Sequence, residues 1–211
     1  MLTRPQIRAQ ARRSLAGNWK PAVLHFLLYL VVSGLINAVT RNIDYIGWWL
    51  GILLEAPLAY GIYNHYLDFA RGRLPDANGL FTGFRRYKDT FILYILSMIF
   101  TVLWTLMFII PGIIAALRYS QASYLLRDHP NLSPLEAISQ SKQMMMGHKW
   151  RLFVLYLSFI GWALLCILTL GIGFLWLGPY YYTSMAHFYE DLRTQGSAGN
   201  NSADTSYLSR D

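Results

Sequence analysis

With 55% hydrophobic against 14% charged residues in 211, the chain carries too little charge for a soluble domain of its size, where about a quarter of residues are charged. Its single cysteine, Cys166, rules out an intrachain disulfide framework and a thiolate metal cluster. The net charge of +7 comes from Lys and Arg just outside apolar runs rather than from a basic groove with stacking aromatics, so anionic membrane lipid is the expected partner and nucleic acid is not.

In chain order, the first element is a basic amphipathic helix. Ile7, Ala11 and Leu15 form one stripe and Arg4, Arg8 and Arg12 another, with Arg13 and Lys20 close by; such a helix is expected in the cytoplasmic interface, facing lipid or a partner. The apolar run at 21–40 is longer than a signal-peptide core and has no convincing cleavage site after it, so it is expected to be retained as a span. A second run covers 46–69. Leu80, Phe81, Phe84 and Tyr87 read as an amphipathic segment weakened by Gly79 and Gly83, and runs at 91–110 and 112–127 follow. Pro111-Gly112 separates these two; a fused span ending near Leu117 would give four spans instead of six and put Arg127 and Lys142 outside. Ser133, Pro134 and Glu136 have the order of a capping box, opening a helix with Leu135, Ile138, Met145 and Met146 toward one side and Ser139 and Lys142 outside it. The last runs are 152–170 and 173–190, and the Gly-, Ser- and Asn-rich stretch from Thr194 to Asp211 has no periodicity.

The long loops hold the cations: Arg71, Arg73, Arg85, Arg86 and Lys88 in one, Arg127, Lys142, Lys149 and Arg151 in the next. The opposite loops are nearly uncharged, so both termini are expected in the cytoplasm. A shift of 61 residues pairs Lys88 with Lys149, Gly112 with Gly173 and Tyr119 with Tyr180, and twice that shift pairs Pro57 with Pro179 and His65 with His187. The expected fold is an all-α membrane protein: six transmembrane helices as three repeated hairpins, each preceded by a cytoplasmic amphipathic or basic segment. The repeat units are 3–70, 76–128 and 133–192 within a single polytopic domain (1–192), followed by a disordered cytoplasmic tail (193–211). All units have one orientation, unlike the inverted repeats of many transporters.

Two ionisable residues, Glu55 and Arg118, sit inside apolar runs at similar depth, and an ion pair at an intramembrane polar centre is expected, serving either a ligand or the bundle itself. Asp68, Asp128 and Asp191 lie at helix C-termini, where they oppose the macrodipole and need cations, most simply those of the basic pre-helices. His25, His65 and His187 have no metal-site spacing and read as interfacial histidines. Asn37, Asn64, Ser97, Ser158 and Gln121 are expected to bond between helices, and Trp48-Trp49 and Tyr180-Tyr181-Tyr182 to serve belts or packing. No catalytic triad, phosphate loop or carboxylate pair is present, so the protein is read as a non-enzyme with no catalytic residues, metal or cofactor.

The string Leu132-Ser133-Pro134-Leu135-Glu136-Ala137-Ile138, with Met146-Gly147-His148-Lys149-Trp150-Arg151, Gly171-Ile172-Gly173, Pro179-Tyr180 and Phe188-Tyr189-Glu190-Asp191-Leu192, resembles the bacterial integral-membrane family catalogued as domain of unknown function 975. Ala11-Arg12, Leu15 and Gly17-Asn18-Trp19 are similar too, and the resemblance covers most of the chain to residue 192. It implies a multi-pass protein of the bacterial cytoplasmic (inner) membrane and supplies no activity. Two functions are expected: transport or permeation of a small solute or lipid-like molecule around Glu55 and Arg118, or a scaffold or regulatory protein that binds membrane components through Arg4, Arg8, Arg12 and Arg13. A protein partner and the oligomeric state are left open.

Overall fold

The computed structural model describes residues 1–208, with all side chains among them except those at 44, 45, 77 and 197–208. Every regular element among the described residues is helical. In order they are α1 (Arg4–Leu15), α2 (Trp19–Thr40), α3 (Asp44–Ala70), a 3-10 turn (Ala77–Phe81), α4 (Thr82–Arg85), α5 (Tyr87–Met107), α6 (Ile109–Tyr119), α7 (Ala122–Asp128), α8 (Pro134–Met144), α9 (Lys149–Leu168) and α10 (Phe174–Leu208). Four helical stretches are long and apolar enough to cross a membrane: Trp19–Thr40, Ile46–Ala70, Tyr87–Met107 and Lys149–Leu168. The runs expected at 112–127 and 173–190 do not add two more. The first is broken into α6 and α7, and the second forms part of α10, which continues to Leu208. The tail expected to be unstructured falls mostly on residues whose side chains, or at 209–211 whose whole placement, lie outside the described residues.

The break between α6 and α7 has a specific cause. Ser141 of α8, fully buried, donates its hydroxyl to the Arg118 carbonyl (2.7 Å) and accepts from the Gln121 N–H (3.2 Å). Ser120 Oγ meanwhile takes the Leu117 carbonyl at 2.8 Å. Side chains have therefore replaced the helical ladder at this point, which is how a helix bends without leaving polar groups bare.

The centre is α3, packed against α2, α5, α7 and α10. Its interior Pro57 cannot donate to Leu53, and the freed Leu53 carbonyl accepts instead from the Tyr87 hydroxyl at 3.2 Å. Two glycines let the segment after α3 fold back onto it. A Cβ at Gly61 would collide with the Leu80 carbonyl, and one at Gly83 with the Pro57 carbonyl. Leu80 is fully buried as a result. On the flanks, Leu24, Val31 and Leu35 of α2, Leu103 and Leu106 of α5, and Leu164 and Leu168 of α9 are exposed, as lipid-facing residues would be.

The capping box before α8 forms: Glu136 accepts from the Ser133 N–H at 2.8 Å, and Ser133 Oγ accepts from the Glu136 N–H at 3.3 Å. α1 starts in the same way, with Gln6 accepting from the Thr3 N–H at 2.7 Å. The stripe Ile7, Ala11 and Leu15 is almost wholly buried, but against α10 and α3 rather than lipid. The apolar face of α1 is thus covered by the bundle itself. Along α8 and the turn after it, Ile138 and Met145 are buried while Leu135 and Met146 face outward.

Candidate functional site

Glu55 and Arg118 do not form the ion pair expected of them. Glu55 on α3 accepts from Ser33 Oγ and from Asn37 Nδ2 (3.2 Å), both on α2, and among the described residues no ion pair joins it to Arg118. Similar depth in two apolar runs does not fix which way each helix is turned, and Glu55 is turned toward α2. It lines a cavity of about 450 Å³ with Asn37, Arg41, Trp48 and Tyr94, between α2, α3 and α5. Arg118 sits at the α6–α7 break, half-buried, its carbonyl held by Ser141.

The three aspartates find cations at neighbouring helix ends, not on the pre-helices. Asp68 pairs with Arg127 (2.6 Å) and Arg73 (2.7 Å). Asp128 pairs with Arg71 (2.5 Å) and Arg193 (3.7 Å) and accepts from the Tyr189 hydroxyl at 2.9 Å. Arg71 also reaches Glu190 at 2.7 Å, so one network ties α3, α7 and α10 together at the basic end of the bundle. Burial pushes the Asp128 carboxyl up, but the hydrogen bonds from Arg71 and Tyr189 outweigh it and hold its pKa below the usual carboxylate value. Asp191 forms a separate clamp. It accepts from Arg151 Nη2 (2.6 Å) and from the Leu2 N–H (3.1 Å), while Arg151 donates to the Leu2 carbonyl at 2.6 Å.

Above this network the same helices are joined by rings. Tyr189 stacks on Tyr124 (5.0 Å), Tyr124 meets Tyr63 edge-on (5.8 Å), Tyr63 meets Tyr182 (5.3 Å), and Tyr182 stacks on Tyr66 (5.6 Å). These rings fill the space between α3, α7 and α10. Tyr180 and Tyr181 pack on Phe159 of α9, whereas Trp48 and Trp49 are exposed at the far end of α3. His25 and His65 share a hydrogen bond of 2.9 Å, and His187 bonds Ser14 at the same distance. Of the polar residues expected to link helices, the Asn64 and Ser158 side chains bond carbonyls within their own helices and Ser97 accepts at its own carbonyl from Thr101, whereas the Asn37 side chain bridges to α3 and the Asn64 carbonyl accepts from Arg127 of α7. Gln121 takes part through its backbone, at Ser141.

The four arginines of α1 separate into two pairs. Arg8 and Arg12 stand over a groove of about 450 Å³ between α9 and α10, whose wall includes Trp162, Cys166, Trp176 and Leu177. The Arg8 guanidinium lies 5.7 Å from the Phe159 ring and 5.8 Å from the rings of Trp162 and Tyr180, and its Nε donates to the Tyr180 hydroxyl at 3.0 Å. Arg4 and Arg13 are exposed and do not line the groove. The arginine stripe was visible in the sequence. The aromatic cage under Arg8 was not, because its rings come from segments some 150 to 170 residues away on helices α9 and α10.

The fold and these sites define an all-α protein of the class whose helices are compatible with a membrane, four of them long and apolar enough to cross one. The family model described as "Protein of unknown function (DUF975)" matches residues 1–116 and 105–196, and the chain belongs to that family. No curated protein and no solved structure matches it.

Proposed function

We propose that the protein is a multi-pass, non-enzymatic scaffold or regulatory protein of the bacterial cytoplasmic membrane, which binds membrane components at its flank and basic end. The six apolar segments form three hairpins of like orientation, α2–α3, α5 with α6–α7, and α9–α10, with both termini in the cytoplasm. In this arrangement α3, α7 and α10 are repeat-equivalent second helices; Tyr63 and Tyr124 stand the same 61 residues apart as the repeat.

One observation carries the choice over transport: the space between α3, α7 and α10, where a solute path would run, holds packed tyrosine rings and ends in an ion-pair network. Cavities of about 390–450 Å³ lie beside this space, along α9 and α10, between α3 and α5–α7, and between α2, α3 and α5. Transport remains a second reading because of the Glu55 carboxylate in its own cavity. Proteoliposomes loaded with small neutral, anionic and cationic solutes decide between them. The scaffold reading expects leakage equal to protein-free vesicles; flux above that level, abolished by Glu55→Gln, would establish transport instead.

A further inference from the structure

We infer that the groove under α1 is a specific site for one anionic diacyl phospholipid, its phosphate held by Arg8 and Arg12 and its acyl chains lying along α9 and α10. This rests on the membrane reading above and names the component bound.

Charge comes first. Among the described residues the groove is lined by two arginines and no acid, so its mouth is cationic. A guanidinium has five N–H donors. Arg8 spends one on Tyr180 and is fixed over three rings; among the described residues its other donors and all those of Arg12 have no partner. Arg8 is therefore held in place by contacts that leave most of its fork free, which suits bidentate binding of phosphate. The rest of the groove is apolar: Trp162, Leu165, Trp176 and Leu177 form a wall leading away from the arginines. A cationic mouth over an apolar slot is complementary to an amphiphile with an anionic head. A free phosphate would leave the slot unused, and a zwitterionic lipid would bring its own cation to a mouth that holds two.

Arg4 and Arg13 are the internal control. They lie on the same helix with the same charge but off the groove. Diffuse attraction to an anionic surface, about 1 kcal/mol per basic residue, would treat all four alike.

The test is native mass spectrometry of the full chain in mild detergent, titrated with phosphatidylglycerol or with phosphatidylcholine of the same acyl chains. Wild type should retain one phosphatidylglycerol in preference to phosphatidylcholine. The pair Arg8→Gln and Arg12→Gln should lose that preference by about tenfold or more, since each removes charge-assisted hydrogen bonds, while Arg4→Gln with Arg13→Gln should keep it. A second measurement uses phosphatidylglycerol with brominated chains, which should quench wild-type tryptophan fluorescence more than that of Trp162→Phe with Trp176→Phe. Equal retention of the two lipids, equal loss in both arginine pairs, or quenching unchanged by the tryptophan replacements would overturn the site. Failure of the membrane reading is separate and shows as a protein that does not float with vesicles of either lipid.

Discussion

Asp191→Asn should make α1 open from the bundle about 30 times more often. Asp191 is 7% exposed at its side chain and Arg151 23%, and between them they hold both the N–H and the carbonyl of Leu2. A hydrogen bond to a charged group contributes about 1.5–3 kcal/mol, and breaking a fully buried pair costs about 3–5 kcal/mol. Arg151 retains some water, so the loss is set near the lower range at about 2 kcal/mol, a factor of about 30 in an opening equilibrium. The helix would not leave altogether, because Ile7 and Leu15 are buried to 1% or less and each adds about 1.5–3 kcal/mol. Hydrogen exchange in mild detergent reads this directly: amides of α1 should exchange about 30-fold faster, with those of α9 little changed. If α1 lay in lipid, the change would be lost in the noise, and a ratio under about threefold refutes the clamp. The acid dependence follows. Burial raises the Asp191 pKa, but Arg151 and the Leu2 N–H outweigh this and depress it. A depressed carboxylate contributes stability above its unfolded pKa of about 3.9 and loses it as pH falls through the lower folded value. Protection of α1, corrected for intrinsic exchange, should therefore hold from neutrality to about pH 5 and fall only below about pH 4, a fall that Asp191→Asn should lack.

Three further outcomes follow from single contacts. Ser141→Ala removes the partner of a buried N–H and a part-buried carbonyl at the α6–α7 break, and should destabilise by about 1–3 kcal/mol in thermal unfolding. A loss under about 0.5 kcal/mol would mean that the helix had re-formed its own ladder. A Cβ at Gly178 would enter the Phe26 ring, so Gly178→Ala should cost about 1–3 kcal/mol, and combining it with Phe26→Ala should recover at least about 1 kcal/mol of the summed losses; strict additivity would refute the contact. Glu55→Gln and Arg118→Gln, by contrast, should add within about 0.5 kcal/mol, because these residues are not partners; a larger coupling would restore the ion pair.

The readability of the sequence divides along local and distant causes. Apolar length marked α2, α3, α5 and α9, and three residues, Ser133, Pro134 and Glu136, were enough to locate the start of α8. Spacing alone assigned the buried stripe of α1, since Ile7, Ala11 and Leu15 recur at helical period. That α10 covers the stripe was not legible, because periodicity says that a face is apolar and is silent on what covers it. The α6–α7 break was invisible for a related reason: Pro111-Gly112 is a local signal, but the break at 120–121 is made by Ser141, which approaches from another helix.

The same division explains why the polar residues were paired wrongly and what decides their roles. Two charges at equal depth gain nothing from each other unless their helices turn them face to face, and a carboxylate in an apolar setting takes whatever donors are adjacent. For Glu55 those are Ser33 and Asn37 on the helix immediately before it. Arg8 shows the opposite case. Three rings and one hydroxyl from α9 and α10 hold it, so its position depends on contacts formed by the last third of the chain. The groove beneath α1 therefore depends on α1 being docked. In an Asp191→Asn protein the buried Ile7 and Leu15 still keep α1 docked most of the time, so it should bind phosphatidylglycerol within about twofold of wild type. A loss of binding as large as that of the Arg8 and Arg12 replacements would mean that Asp191 alone keeps α1 docked, against the burial of Ile7 and Leu15.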